Sequence, residues 1–272
     1  MISFPSAKIN LGLKVLNKRS DGYHNICSVF YPVPLCDVLE VIENQTDGEN
    51  FKLTMSGIKI DGALENNLIY KAWLLIKKQF EIPKIQVHLH KVIPMGAGLG
   101  GGSADGAYML KLLNDKFKLN LSVPDLKNLA AQLGSDCPFF IEEQPSIVTG
   151  RGEIMEPISL DLKNQKIKII HPNIHISTAD AYRLVDVKDV NYPIEEIIVD
   201  RNAWKKNLVN DFQTAIAKKH PEIIMLIENL YRQGAYYAAM SGSGSAVFGL
   251  FDETQQCEIL VDQHFQWIGK LN

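Results

Sequence analysis

The chain is poor in cysteine, in net charge and in long apolar stretches, and each shortage excludes a class of protein. Its four cysteines, Cys27, Cys36, Cys137 and Cys257, form no C-x-x-C pair within 272 residues. A metal knuckle or a disulfide scaffold is therefore not expected, and the thiols read as reduced, mostly buried groups of a cytoplasmic protein. Lys plus Arg number 28 against 31 Asp plus Glu, a formal net charge of −3. Nucleic-acid affinity comes largely from neutralising phosphates, so no nucleic-acid partner is expected. A local basic pocket is still possible, because Lys8, Lys14, Lys18 and Arg19 stand against Asp21 alone in the first 24 residues. No uncharged apolar run approaches the ~18 residues of a membrane span. The N-terminus, Met1-Ile-Ser-Phe-Pro-Ser-Ala-Lys8, also lacks the apolar centre of a signal peptide. No membrane partner is expected either. Internal repeats and low-complexity tracts are missing, and the length suits one large domain or two smaller ones.

What is present begins with a β-rich opening. Lys8-Ile-Asn-Leu-Gly-Leu-Lys-Val15 alternates with period two, which turns Ile9, Leu11, Leu13 and Val15 inward. Lys8, Asn10, Gly12 and Lys14 share the other face, which on pattern alone is a solvated one. After the turn signal Ser20-Asp21-Gly22, strands are expected over 26–33, 37–43 and 51–55. Asn67 caps a helix with apolar positions Ile69, Ala72, Trp73, Ile76 and Phe80. A strand from Ile85 places His88 and His90 together on its outer face. With no third ligand nearby, that pair reads as a polar sheet face rather than a metal site. Helices are expected from Ser103 and from Ser122, the latter ending at Gly134. Beyond 150 the pattern predicts a strand over 166–171, helical structure to about 219, and a helix over 221–233. Strands over 235–240 and 246–251 and a last helix over 253–265 complete the chain. Strands and helices do not alternate strictly, which favours α+β over a doubly wound sheet. A soft boundary near 150–155 gives two domains, 1–152 and 153–272.

The strongest chemical signal is Pro94-Met-Gly-Ala-Gly-Leu-Gly-Gly-Gly-Ser103-Ala104, placed after a strand and opening a helix. Glycines at 96, 98, 100, 101 and 102 permit positive φ angles and close backbone approach. Their amides, with the positive end of the helix dipole, make an anion site. Gly96, Gly98 and Gly101 satisfy the dinucleotide spacing, but no N-terminal βαβ unit hosts them. The Walker pattern fails at Gly102, where the phosphate-binding lysine belongs. Positive charge for phosphoryl transfer must then come from Mg²⁺ and from elsewhere in the chain, with Lys8 the leading candidate. Two further motifs stand out: Gly134-Ser-Asp136-Cys-Pro-Phe-Phe140, whose carboxylate suits a general base, and Met240-Ser-Gly-Ser-Gly-Ser245, a tight connection able to form a second anion nest.

In order and content these three motifs, with Ala7-Lys-Ile-Asn10 near the start, resemble the GHMP kinase superfamily over nearly the whole chain. The resemblance implies a two-domain α+β fold, with an N-terminal ribosomal-protein-S5-like domain and a C-terminal ferredoxin-like one. It implies an ATP-dependent kinase of a small-molecule alcohol, with Mg²⁺. Ser20-Asp-Gly-Tyr-His24, Leu133-Gly-Ser-Asp-Cys-Pro-Phe-Phe140 and Gly150-Arg-Gly-Glu153 narrow it further. They are similar to the branch that phosphorylates the 2-hydroxyl of a cytidine-diphosphate methylerythritol in the non-mevalonate route to isoprenoids.

Carried onto this sequence, the resemblance makes Lys8 and Asp136 catalytic. Asp136 would take the hydroxyl proton, and Lys8 would keep that carboxylate ionised and offset phosphoryl charge. It assigns Pro94, Met95, Gly96, Ala97, Gly98, Leu99, Gly100, Gly101, Gly102, Ser103 and Ala104 to ATP, with Asn67 and Leu68 near adenine. Asn10, Tyr23, His24, Thr178, Tyr182, Gly242 and Ser243 fall to the acceptor, with Tyr23 and Tyr182 as rings for the two faces of cytosine. No metal ligand is identifiable. Ala97 and Asp105 depart from the family pattern, and Asp105 adds negative charge close to the phosphates. A monomer or weak homodimer is expected. Another GHMP kinase, a nucleotide sensor without turnover and a nicotinamide oxidoreductase stay open as alternatives.

Overall fold

The computed structural model describes residues 1–44, 48–187, 191–259 and 264–272. Strands β1 (Ile2–Ser3), β2 (Ser6–Lys18), β3 (His24–Cys36), β4 (Val38–Glu43) and β5 (Phe51–Gly57) come first. Helix α1 (Leu68–Lys77), strand β6 (Ile85–Lys91), helices α2 (Gly101–Phe117) and α3 (Val123–Leu133) and the single turn α4 (Phe139–Glu142) follow. Next are the hairpin β7 (Ser146–Thr149) and β8 (Ile154–Pro157), then strand β9 (Lys166–His171). The remainder holds α5 (Thr178–Leu184), α6 (Ile194–Val199), α7 (Arg201–Asn207), α8 (Asp211–Ala217) and α9 (Glu222–Arg232). It ends with β10 (Tyr237–Met240), β11 (Val247–Phe251) and β12 (Phe265–Lys270). The architecture is α+β. By compactness the chain forms two units, each discontinuous in sequence. One comprises Met1–Ala7, Leu35–Met95 and Gly100–Glu143, and the other Lys8–Pro34, Gly96–Leu99 and Gln144–Asn272. The expected boundary at 152/153, by contrast, cuts the chain once.

In the first unit the sheet runs β1-β4-β6-β5, with β5 parallel to β6. Ile85, Val87 and Leu89 are fully buried, as their alternation requires. On the opposite face Ser56 Oγ lies 2.9 Å from both His88 Nε2 and His90 Nδ1, and Thr54 Oγ1 lies 2.8 Å from His88 Nδ1. The histidines are thus members of a cross-strand polar face. Asn67 caps α1 by accepting from the Ile69 amide at 2.9 Å. Helix α2 packs against it at Gly106, where a Cβ would stand 2.9 Å from that of Leu68. The start of α2 corrects the expectation: Gly100, left-handed at φ 74°, caps it, and Ser103 lies inside the first turn. Gly96, Gly98 and Gly100 take positive φ, whereas Gly101 and Gly102 are helical.

The second unit carries the sheet β2-β3-β7-β8 and the antiparallel sheet β10-β11-β9-β12. The Lys8–Asn10 face of β2 is not solvated: Lys8 is 3% and Asn10 1% exposed. Packing by Ser241 and Phe30 closes that face, a tertiary effect invisible to periodicity. At the C-terminus no helix covers 253–259, and 260–263 lie outside the described residues. From Phe265 the chain is instead a strand pairing with β9. There the backbone edge of β9, through Lys166–His171, captures a segment whose composition fits either state.

Buried Asn210 links the two layers of this unit. It accepts from the Phe212 amide as the cap of α8, and its Nδ2 donates to the carbonyls of Met240 (2.7 Å) and Gly242 (2.9 Å). Removing those bonds leaves buried carbonyls and an amide without partners. Asn210→Ala is expected to lower unfolding free energy by about 2–4 kcal/mol, read as a shift in the urea midpoint at unchanged slope.

Candidate active site

The chain leading into the glycine loop is held by one buried charge cluster. Lys91, the last residue of β6, bonds the Asp37 carboxylate and, at 2.9 Å, Asp105 Oδ2. Asp37 Oδ1 also accepts from the amides of Val92 (2.6 Å) and Ile93 (2.9 Å). Burying an ammonium is tolerable only with such pairing. Desolvation pushes the Asp105 carboxyl up to about 7; Lys91 pulls the other way, and the charge of Asp37 reinforces the rise. Asp105 therefore turns onto Lys91, and its other oxygen is buried without a hydrogen-bond partner.

Beside this cluster lies a cleft of about 430 Å³, lined by Leu53, Met55, Leu64, Asn67, Leu68, Met95 and Gly102 among others. Its apolar walls suit a flat aromatic base. The first amides of α2 have no acceptor within the helix and, with its dipole, favour an anion. Gly101 is required for space, since a Cβ would meet Ile93 and the Lys91 ammonium at 2.9 Å. At Gly102 the nearest such contact is Met95 Cε at 3.8 Å, so that position is open. Pro94, Ala97, Leu99 and Ala104 are buried, which leaves their backbone as the part able to bind.

Asp136 sits in the turn after α3, in the same unit as α2. The next residue, Cys137, is buried and hydrogen-bonded by Ser103, which brings that turn against the first turn of α2. Burial pushes the Cys137 thiol up to about 12, so it is no nucleophile.

In the second unit Lys8 Nζ donates to Asn10 Oδ1 at 2.6 Å and lies 4.3 Å from the centre of the Phe30 ring. Asn10 Nδ2 donates to Ser28 Oγ (2.9 Å), which donates to the Gly12 carbonyl (2.6 Å). The Asn10 amide donates to Ser241 Oγ (3.2 Å), and that hydroxyl donates to the Gly98 carbonyl (2.8 Å). Gly98 approaches so closely that a Cβ would stand 1.9 Å from the Ser241 carbonyl oxygen. The Lys8 amide also donates to the Leu99 carbonyl at 2.9 Å. Gly242 is left-handed at φ 55° with its space filled by Gly98 and Asn10.

The other acceptor candidates of this unit, besides Asn10 and Gly242, fall into three local groups. Thr178 Oγ1 meets Ser243 Oγ at 3.2 Å. His24 and Tyr182 stack at 5.1 Å and 13°, and Tyr182 turns an edge contact toward Phe212 at 4.9 Å. Tyr182 thus belongs partly to the core and presents one face to His24. Tyr23 stands apart from that pair, 55% exposed. Sequence reasoning missed Ser28, Ser241, Asn210, Asp37 and Lys91. For Lys91 a signal existed: it precedes the loop directly, and Asp105 falls on the apolar stripe of α2.

Two family descriptions match the chain: "GHMP kinases N terminal domain" over residues 67–144 and "GHMP kinases C terminal" over 195–262. The 4-diphosphocytidyl-2-C-methyl-D-erythritol kinase of Bacteroides thetaiotaomicron is 50% identical over 253 residues, 93% of this chain and 92% of its own. That of Parabacteroides distasonis is 44% identical over 275 residues and the full length of both. The chain belongs to the 4-diphosphocytidyl-2-C-methyl-D-erythritol kinase family of GHMP kinases. A crystal structure of 4-(cytidine 5'-diphospho)-2C-methyl-D-erythritol kinase superposes with a TM-score of 0.78 at 30% identity, covering 92% of this chain and 90% of that one. The Methanococcus jannaschii mevalonate kinase, 15% identical with a TM-score of 0.72 over 100% and 98% of the two chains, shares the fold.

For this GHMP kinase the cluster and the loop make separate predictions. A carboxyl whose pKa is raised by folding contributes stability that is present below its ordinary value of 3.8 and lost as pH rises toward about 7. Asp105→Asn should therefore gain melting temperature relative to the parent chain across pH 4 to 7, and a constant difference would refute the raised carboxyl. Gly98→Ala, strained in φ and against a carbonyl, should cost roughly 2–4 kcal/mol in denaturant unfolding.

Proposed function

We propose that the chain transfers the γ-phosphoryl group of ATP to the 2-hydroxyl of 4-diphosphocytidyl-2-C-methyl-D-erythritol, giving the 2-phosphate and ADP. This places it in non-mevalonate isoprenoid precursor biosynthesis. The observation that carries the reading is the Gly100-capped end of α2, which opens onto an apolar cleft of base-binding size and borders the Asp136 turn. In that cleft Asn67 and Leu68 meet adenine, and the amides of the loop and α2 meet the phosphates. Asp136 accepts the proton of the attacking hydroxyl as its oxygen bonds the γ-phosphorus. The bond to the β,γ-bridging oxygen breaks, and ADP leaves. Lys8, oriented by Asn10, supplies positive charge to the phosphoryl oxygens.

Mg²⁺ supplies further neutralisation when bound with ATP. No group of three His, Cys, Asp or Glu side chains able to hold a metal occurs among the described residues. This ion is usually held by one or two carboxylates together with substrate phosphates and water, which requires no such group. Tyr23, His24, Thr178 and Tyr182, with Gly242 and Ser243, are proposed to receive the cytidine-diphosphate acceptor. No described helix is long and apolar enough to cross a membrane. A cytoplasmic monomer or weak homodimer with sequence domains 1–152 and 153–272 completes the proposal.

ADP release from Mg·ATP should be robust with the cytidyl acceptor and absent with methylerythritol phosphate; turnover of homoserine or mevalonate instead would overturn the acceptor. Lys8→Ala and Asp136→Asn should each lower kcat by roughly 10²–10⁴. Gly102→Ala, with room for its methyl but within the cleft, should raise the KM for ATP roughly five- to tenfold while the melting temperature holds.

A further inference from the structure

The Gly150-Arg-Gly-Glu153 motif has no part in the chemistry above. It forms the tip of the β7–β8 hairpin. Glu153 folds back under the tip, its Oε2 accepting from the Arg151 amide at 2.6 Å. Gly150, at φ 66°, leaves room for that carboxylate; a Cβ would lie 2.6 Å from the same oxygen. The tip is tied to β3 by the Ile26 amide, which donates to the Gly150 carbonyl at 2.7 Å. Tyr23 and His24 stand just ahead, where the chain enters β3.

With its backbone so held, Arg151 lays its guanidinium 5.2 Å from the centre of the Tyr23 ring. Its Nε is 3.7 Å from Glu153 Oε1. The backbone of Tyr23 is closed separately: its amide donates to Asp21 Oδ1 (3.1 Å), and its carbonyl accepts from the Arg19 amide (2.8 Å). The ring itself is more than half exposed. Without a partner, an exposed ring on a turn exchanges rotamers, and fixing it is part of the cost of binding.

We infer that Arg151 is a positioning residue for the nucleoside end of the acceptor, holding the Tyr23 ring as a platform on which a pyrimidine base stacks. The inference rests on Tyr23 belonging to the acceptor site, as proposed above. Arg151 acts through the ring, and Glu153 and Gly150 act through Arg151. This gives the four-residue motif a role distinct from the phosphate loops.

Steady-state kinetics with the cytidyl acceptor test it on the parent chain, Arg151→Ala, Arg151→Lys, Tyr23→Ala and the Tyr23→Ala/Arg151→Ala pair. Both side chains are well exposed, so the fold should tolerate each change. Arg151→Ala should raise the acceptor KM roughly two- to fivefold, the range of an exposed cation–π contact, with a smaller change in kcat. Arg151→Lys, which keeps a cation for the ring, should recover part of that loss. In the Tyr23→Ala background the arginine change should add nothing. An undiminished effect there would mean that Arg151 meets the acceptor directly, and an unaltered KM in the single variant would mean that it does nothing; either overturns the inference. If the parent chain neither phosphorylates the cytidyl acceptor nor binds cytidine 5′-diphosphate in calorimetry, the acceptor assignment itself fails and takes this inference with it.

Discussion

A buried ammonium between two carboxylates governs the unit that carries the apolar cleft beside α2. Lys91 cannot leave water without Asp37 and Asp105, and each carboxylate secures a different stretch of chain. Asp37 accepts from the amides of Val92 and Ile93, so it sets the path into Pro94 and the glycine loop. Asp105 secures the second turn of α2, five residues past its left-handed cap. Gly101 is glycine because Lys91 and Ile93 occupy the place of a side chain. The direction of the helix, the course of the loop and the open floor at Gly102 follow from one charge having to be matched. Replacing Lys91 or Asp37 would leave a buried charge uncompensated, which costs more than an exposed salt bridge contributes.

The second unit solves a similar problem without opposed charges at its centre. Gly98 and Ser241 meet backbone to backbone, and the serine hydroxyl serves both the Gly98 carbonyl and the Asn10 amide. Asn210 then holds the carbonyls on either side of Ser241. Buried polar groups of this kind stabilise only when all are satisfied, and here each group finds a partner in a neighbouring one. Lys8 emerges from the same network with its amide on Leu99 and its ammonium on Asn10, so its orientation is set before any ligand arrives.

Much of this was legible in advance because short-range rules governed it. The cap at Asn67, the helix start at Ser122, strand β9 and the three motifs all follow from local pattern and chemistry. What escaped depends on partners far away in sequence. The outer face of β2 looked solvated because its cover comes from Ser241, 231 residues on. The strand from Phe265 was not foreseen, and a helix was expected up to that point, because nothing local announces that β9 has a free edge. The change of pattern at Gly150 coincides with the turn of a hairpin whose first strand pairs with β3, a partner more than a hundred residues earlier. Ser103 resembled a helix cap, but a left-handed glycine three residues earlier had already turned the chain, freeing the serine to bond Cys137.

The position of Asp105 shows how an acid can stand close behind the unpartnered amides that open α2. If both carboxylates of the cluster were ionised, one ammonium would leave a net negative charge beneath the first amides of α2. Burial and the charge of Asp37 oppose that state and push the Asp105 carboxyl upward. With one proton retained, the cluster carries no net charge, and the field at the loop is that of the helix dipole and its unpartnered amides. Lys91 is thus matched within the fold. In the proposed reaction the loop would supply shape and amides and Lys8 of the first long strand the cation, so a lysine absent from the loop, where nucleotide-binding loops of another type carry one, is no deficit.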